Sequence, residues 1–360
     1  MQSAINFGAG PSMIPQEVLK EAQTHLLDFH GHGLSIMEAS HRSSMYEEVH
    51  NRAIEDIKTL LHVPEDYDVL FLQGGASLQF AMVPLNLSQG GVIEFVDTGT
   101  WSSKAIKEAK IMGLNTRVVA SSKESGYTHI PENIAFSDEA DYAYITSNNT
   151  IYGTQYKTFP DATAPLVVDA SSDIFSYPID WNKTSLLFAG AQKNAGPSGV
   201  TIVIIKRNLL ERVNETVPTM LRYQTHAEAN SLYNTPPTFG IYLLGLTMKW
   251  IKAQGGVEAV RQYNEEKAAL LYNAIDASEG FYVGHALPGS RSLMNVSFNI
   301  KDKDKTLEAA LLDLAQKEQM VGLKGHRSVG GLRASIYNAM RKEGVQALVD
   351  LMHSFAKTHR

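Results

Sequence analysis

Apolar residues recur along the chain with two different periods, and the change from one to the other predicts the architecture. Val18, Ala22 and Leu26 share one face at helical spacing, so the stretch from Pro15 to about Phe29 reads as a helix. Met45, Val49, Ala53, Ile57 and Leu61 predict a second one. The intervening run from His30 to Arg42 is glycine-rich at its start and reads as a loop. From Asp68 onward short apolar runs take over. Val69–Leu72, Val92–Val96, Thr116–Ala120, Tyr142–Thr146, Leu166–Asp169, Ser185–Ala189 and Gly199–Ile205 predict seven strands, with helices over Leu78–Leu87 and Trp101–Met112. Such strands, separated by helices or long loops, predict an α/β fold with a mostly parallel sheet covered on both faces, whose ligands gather at the strand C-terminal ends.

After Pro236-Pro237 long helices dominate, predicted over Phe239–Ala253 and Val257–Ala277, the second bridging two domains. Strands around Leu293–Phe298 and Gly331–Ile336, with helices Lys305–Gln319 and Arg341–Lys357, predict a smaller α/β unit with a largely antiparallel sheet. A chain of 360 residues exceeds the roughly 250 to 300 residues at which one core stops growing. The expected division is a large domain of residues 15–256 and a small one built from 1–14 and 257–360.

Composition narrows the chemistry. The chain has no cysteine, which removes disulfides, thiolate metal sites and cysteine nucleophiles. A net charge of −6 argues against a nucleic-acid or membrane-surface role but leaves room for a local arginine cluster around an anion. No secretory signal and no membrane-length apolar stretch is present, so a cytoplasmic location is expected.

Lys193 lies among small and turn-forming residues, Ala189-Gly190-Ala191-Gln192-Lys193-Asn194-Ala195-Gly196, with no charged residue between Lys183 and Lys206 apart from itself. Solvated lysines ride on polar helix faces; this one is framed by strands and has space beside it. Asp169 ends another apolar run 24 residues earlier (193 − 169). An amine for a Schiff base and a carboxylate for a pyridinium nitrogen are what a pyridoxal phosphate enzyme needs. Gly74-Gly75-Ala76-Ser77, between a strand and a helix, aims backbone N–H groups at a phosphate or makes a plain tight turn. Trp101 suits stacking on a heteroaromatic ring or filling core. The Thr150 hydroxyl suits a cofactor oxygen or a turn cap. Arg42, Arg327 and Arg333, with His41 and His326 beside the first two, form a basic set fitted to carboxylate and phosphate, or a set of solvated loop charges. Asn234 and Thr235 read as a polar loop before a helix. His30-Gly31-His32 lacks a third ligand, and no metal site is expected.

Taken together, Gly8-Ala9-Gly10-Pro11, Ser40-His41-Arg42-Ser43, Gly74-Gly75-Ala76-Ser77, Val168-Asp169-Ala170-Ser171-Ser172, Ala191-Gln192-Lys193-Asn194 and Gly325-His326-Arg327 closely resemble the phosphoserine aminotransferase family. These are fold-type I, pyridoxal 5'-phosphate enzymes of the class V group. The resemblance implies a homodimer with active sites at the interface, and O-phosphoserine, glutamate and 2-oxoglutarate as substrates, with phosphohydroxythreonine as a further one. It implies that Lys193 carries the cofactor, Asp169 pairs with its ring nitrogen, Trp101 stacks on it and Thr150 bonds its phenolic oxygen. Ala76, Ser77 and Gln192 would hold its phosphate, with Asn234 and Thr235 supplied by the second subunit. Arg333 would take the substrate α-carboxylate, and His41 and Arg42, meeting His326 and Arg327 across the interface, the substrate phosphate or distal carboxylate. The chain departs from some members at Ala9 and Ser77, which removes two side-chain contacts to substrate. The competing enzyme reading is an aminotransferase using alanine or serine with glyoxylate, whose small substrates need no second anion site. The non-enzyme reading is a phosphate-ligand binding protein.

Overall fold

A strand covered on both faces is apolar along its whole length, with successive residues entering different cores. The central strands behave this way in the computed structural model, which describes residues 4–359; residues 1–3 and 360 of the expected small domain lie outside the described residues. The chain opens with β1 (Ile5–Asn6), α1 (Gln16–Thr24) and α2 (Ser44–Leu61). It continues through β2 (Tyr67–Leu72), α3 (Gly75–Leu87), β3 (Val92–Asp97), α4 (Thr100–Ile111) and β4 (Asn115–Ser121). Next come β5 (Ala140–Thr146), the two-residue strands β6 (Asn148–Asn149) and β7 (Thr154–Gln155), β8 (Leu166–Asp169), β9 (Thr184–Gly190) and β10 (Thr201–Lys206).

The large sheet has seven strands in the order β2-β10-β9-β8-β5-β3-β4. Only β10 runs against its neighbours; the remaining pairings are parallel. Leu70, Leu72, Leu186, Phe188, Val203 and Ile205 enter the core beneath α3 and α4. The residues between them, Val69, Phe71, Leu187, Ala189, Ile202 and Ile204, enter the opposite core with Ile57 and Leu60 of α2. Each fully buried side chain of this kind is worth about 1.5–3 kcal/mol.

A short helix, α5 (Tyr223–Glu228), leads to α6 (Thr238–Ala253) and α7 (Gly256–Asp276). The start of α7 places Val257 and Val260 in the core of the large sheet, whereas Ala268, Leu271 and Ile275 enter a separate core, so one rigid helix ties the two together. That second core is built by β11 (Tyr282–Gly284), β12 (Asn295–Ile300), α8 (Lys305–Lys317), β13 (Met320–Val321), β14 (Leu332–Ser335) and α9 (Lys342–His359). β12 lies between β11 and β14, antiparallel to both, and β1 pairs in parallel with β13.

Three features differ from the sequence expectation. α1 stops at Thr24 rather than near Phe29, because the next residues fold back: Gly33 N donates to Asp28 Oδ1 at 2.8 Å and Phe29 N to Leu34 O at 2.8 Å. α3 starts at Gly75 rather than Leu78, so the glycine pair opens the helix instead of preceding it. The strands β1, β6, β7, β11 and β13 are too short for alternation to register in a sequence.

Candidate active site

β8 ends on Asp169, and β9 runs into the loop bearing Lys193. Because the two strands are parallel neighbours, both residues leave the sheet at the same C-terminal edge. Asp169 is buried. Its Oδ1 accepts from Ser171 N at 3.0 Å and Ser171 Oγ at 2.6 Å, and its main-chain carbonyl from Ser147 N and Oγ, both at 3.0 Å. Burial pushes its carboxyl above the usual range, with the Ser171 hydrogen bonds and the Lys193 charge opposing. Both Ser171 donors converge on one carboxylate oxygen, and the Tyr144 hydroxyl also bears on the carboxylate.

Lys193 Nζ donates to Thr150 Oγ1 at 2.7 Å and stands 5.4 Å from the centre of the Trp101 ring. Burial pulls the amine down to about 8, against the opposing charge of Asp169 and with the help of Arg333. The segment before α1 braces this loop. Ser12 N donates to Gln192 O at 2.9 Å, and the Ser12 hydroxyl donates to the Lys193 carbonyl. Gly10, at φ +139°, lies so close that a Cβ there would stand 3.2 Å from Lys193 Cγ.

α3 begins without a side-chain cap, on Gly74 in the left-handed conformation at φ 89°. Its first N–H groups, Gly75 to Ser77, therefore have no intrahelical acceptor and form an anion-seeking end. Ser77 is exposed and Gln192 partly so. Asn234 and Thr235 are exposed, and Thr235 O accepts from Gln73 Nε2 at 3.3 Å, one residue before Gly74.

Arg333, on β14, donates from Nη1 to Thr150 O at 3.5 Å, while its Nε is buried without a partner. Burial lowers its pKa. His326 is lowered by burial and then by the charges of Arg333, Arg327 and Lys104, so this doublet belongs to the same positive field. Lys104 Nζ also stands 4.5 Å from the Trp101 ring centre. The 41–42 doublet sits apart: His41 Nε2 is buried without a partner and Arg42 is exposed. Among the described residues no hydrogen bond or ion pair joins this doublet to Lys193, Arg333 or the 326–327 loop.

Sequence reading missed several groups at this edge. Ser147 and Ser171 hold Asp169, Asp173 lies in the same buried network, and Tyr337 OH donates to Ala9 O at 2.8 Å. The one local signal was the polar run Ser171-Ser172-Asp173 immediately after Asp169. An amine of lowered pKa, a buried carboxylate, an indole face and an uncapped helix end fit pyridoxal phosphate group for group. No cluster of three or more His, Cys, Asp or Glu among the described residues could hold a metal ion.

Comparison with known proteins agrees with this geometry. The family model described as Aminotransferase class-V matches residues 4–348. A phosphoserine aminotransferase of Campylobacter lari is 56% identical over 356 residues, covering 99% of each chain. The solved phosphoserine aminotransferase of Bacillus circulans subsp. alkalophilus superposes with a TM-score of 0.97 at 50% identity, covering 100% of both chains. A PLP-bound phosphoserine aminotransferase from Trichomonas vaginalis gives a TM-score of 0.92 at 39% identity, over 97% of this chain and 99% of the other.

Proposed function

The chain belongs to the aminotransferase class-V family, and from that premise we propose how its residues divide the work of transaminating phosphoserine. It is a pyridoxal-phosphate-dependent transferase that exchanges an amino group between O-phospho-L-serine and 2-oxoglutarate, giving 3-phosphooxypyruvate and L-glutamate. Bound pyridoxal phosphate supplies the carbonyl that takes up the amine and the ring that draws off the electrons of the Cα–H bond.

The chain's own groups do the rest. Lys193 would hold the cofactor, and its Nζ would take the substrate Cα proton as general base and give it up again as acid. Its lowered pKa supports this role, since a neutral amine is required. Asp169 would keep the ring nitrogen protonated by placing a negative charge beside it. Trp101 would stack on the ring, Thr150 would bond its phenolic oxygen, and Ala76 N–H, Ser77 and Gln192 would hold its phosphate, with Asn234 and Thr235 entering from a second subunit. Arg333 takes the α-carboxylate. His326 and Arg327, joined by His41 and Arg42 of a second subunit, hold the phosphate of phosphoserine or the distal carboxylate of glutamate. This reading makes the enzyme a cytoplasmic homodimer, with a cofactor domain of residues 15–256 and a small domain of 1–14 and 257–360.

The observation that carries the assignment is the convergence of Lys193, Thr150, Trp101 and Asp169 at one sheet edge. Borohydride reduction of cofactor-saturated protein, followed by peptide mass spectrometry, tests it: the modified peptide is expected to carry Lys193, and an unmodified Lys193 overturns the scheme. Loss of the cofactor absorbance with phosphoserine and glutamate, but not with alanine or serine, tests the second anion site. No helix among the described residues is long and apolar enough to cross a membrane.

A further inference from the structure

Four residues beyond Asp169 lies a second buried carboxylate. Asp173 has no exposed surface. Its Oδ2 accepts from Gln155 Nε2 at 3.1 Å and Tyr177 OH at 3.0 Å. The Gln155 amide cannot be turned round, because its Oε1 accepts from Leu293 N at 2.9 Å. The other oxygen, Oδ1, stands 2.5 Å from Ser147 Oγ, which is itself 3.0 Å from the Asp169 carbonyl.

Counting protons assigns the state of this group. Ser147 Oγ carries one hydrogen, and both a main-chain carbonyl and an ionised carboxylate only accept. With Asp173 ionised, the single Ser147 hydrogen serves either Asp173 Oδ1 or the Asp169 carbonyl, which already accepts from Ser147 N at 3.0 Å, and the other contact is oxygen against oxygen with no proton between, since the Tyr177 proton is spent on Asp173 Oδ2. A proton on Asp173 Oδ1 completes both: Asp173 donates to Ser147, and Ser147 donates to the Asp169 carbonyl. Charge leads to the same answer. The charged groups that bear on Asp173 are Asp169 at the end of β8 and Lys193 after β9, while β7 and its own loop present only the neutral Gln155 and Tyr177. Two buried carboxylates whose charges oppose each other, with no ion pair to either among the described residues, favour neutralising one.

We propose that Asp173 is a positioning residue that works as the neutral acid, orienting the Ser147 hydroxyl onto the Asp169 carbonyl and leaving Asp169 the one negative charge at the ring-nitrogen end of the site. Burial pushes its carboxyl up to about 7, the direction this arrangement requires, although Gln155, Tyr177 and Ser147 all donate to it or share its proton. The inference rests on the reading of Asp169 as partner of the ring nitrogen.

Infrared difference spectra between the wild type and Asp173→Asn, taken below neutral pH on cofactor-free and cofactor-loaded protein, read the proton directly. The expected difference is loss of a neutral carboxylic-acid C=O stretch that shifts in D2O; loss of carboxylate bands alone overturns the proposal. The pH midpoint of the bound cofactor's absorbance change gives a second readout. It stays in place in Asp173→Asn if the residue is neutral, and a fall in the midpoint, as expected on removing an anion, counts against it. Asp173→Leu, which has no donor for Ser147, is expected to release cofactor at least about tenfold faster than Asp173→Asn; equal release rates argue against positioning. If that variant does not fold, the infrared measurement on Asp173→Asn still decides. A neutral-acid band in protein whose Lys193 never takes up the cofactor supports the Asp173 assignment and refutes the reading of the site.

Discussion

With Lys193 as the proposed cofactor-binding amine, its protonation state is expected to set how fast cofactor-free protein captures pyridoxal phosphate, because only the neutral amine attacks the carbonyl. With its pKa held at about 8, roughly 9% of Lys193 is neutral at pH 7; an unperturbed amine at 10.5 would be neutral to only about 0.03%. A shift of this size raises the attacking species about 300-fold, with burial the largest cause. The causes make the prediction sharper. Asp169 opposes the shift, so Asp169→Asn lowers the midpoint further; Arg333 adds to it, so Arg333→Met raises the midpoint. Stopped-flow absorbance of cofactor-free protein mixed with excess pyridoxal phosphate, from about pH 6 to about pH 10, gives the midpoint of the capture rate. The wild type is expected near 8, with the two variants displaced in opposite directions. A wild-type midpoint above 10, or an upward displacement in Asp169→Asn, would refute the argument from burial.

Three further outcomes are expected. Lys267 in α7 has no exposed surface and donates to the carbonyls of Ile336, Tyr337 and Met340 at 3.0, 2.7 and 3.1 Å, with burial pulling its amine down to about 7 from 10.5. Between those values the unfolded chain binds more protons than the folded one, so stability rises with pH: urea unfolding should show the wild type gaining about 2 kcal/mol from pH 7 to pH 9 that Lys267→Met lacks. An identical pH dependence in both counts against a displaced amine. Gly10→Ala puts a Cβ against Lys193 Cγ at a backbone angle that suits glycine, and should cost about 1–3 kcal/mol of stability as well as slow cofactor capture; calorimetry showing an unchanged Tm would contradict this. Arg42→Ala should slow the phosphoserine half-reaction about 10²-fold, the loss of a charge-assisted contact of ~2–3 kcal/mol, and an unchanged rate removes Arg42 from the anion site.

Lys193 and Asp169 were legible in the sequence because each is marked locally, by small neighbours on one side and an apolar strand on the other. The seven strands were legible for the same reason: a run buried on both faces needs no long-range information to declare itself. The network around Asp169 was not. Ser147 meets Asp169 and Asp173 only because β5 and β8 pair with Thr146 opposite Asp169, a register that no local pattern reports. The bracing of Lys193 by Gly10 and Ser12 depends on contacts about 180 residues apart in sequence, closed by tertiary packing. Arg333 and the two His-Arg doublets carried no local signal beyond their charge. Their roles came from the resemblance, and within one chain only the 326–327 doublet joins the field of Lys193 and Arg333.

The connectivity of the fold also sets an order in time. All seven strands of the large sheet lie between Tyr67 and Lys206, so the edge that presents Asp169 and Lys193 is encoded before the small unit has been translated. Arg333 follows Lys206 by 127 residues (333 − 206), about 6 to 25 s of synthesis at ~5–20 residues per second. β1, made at the outset, waits for β13 before it has a partner, since Ile5 pairs with Met320. A ribosome-bound chain thus already holds Asp169 and Lys193 at or just beyond the ends of strands of one sheet, while Arg333 and the α6 residues that complete the core beneath that sheet have yet to be made.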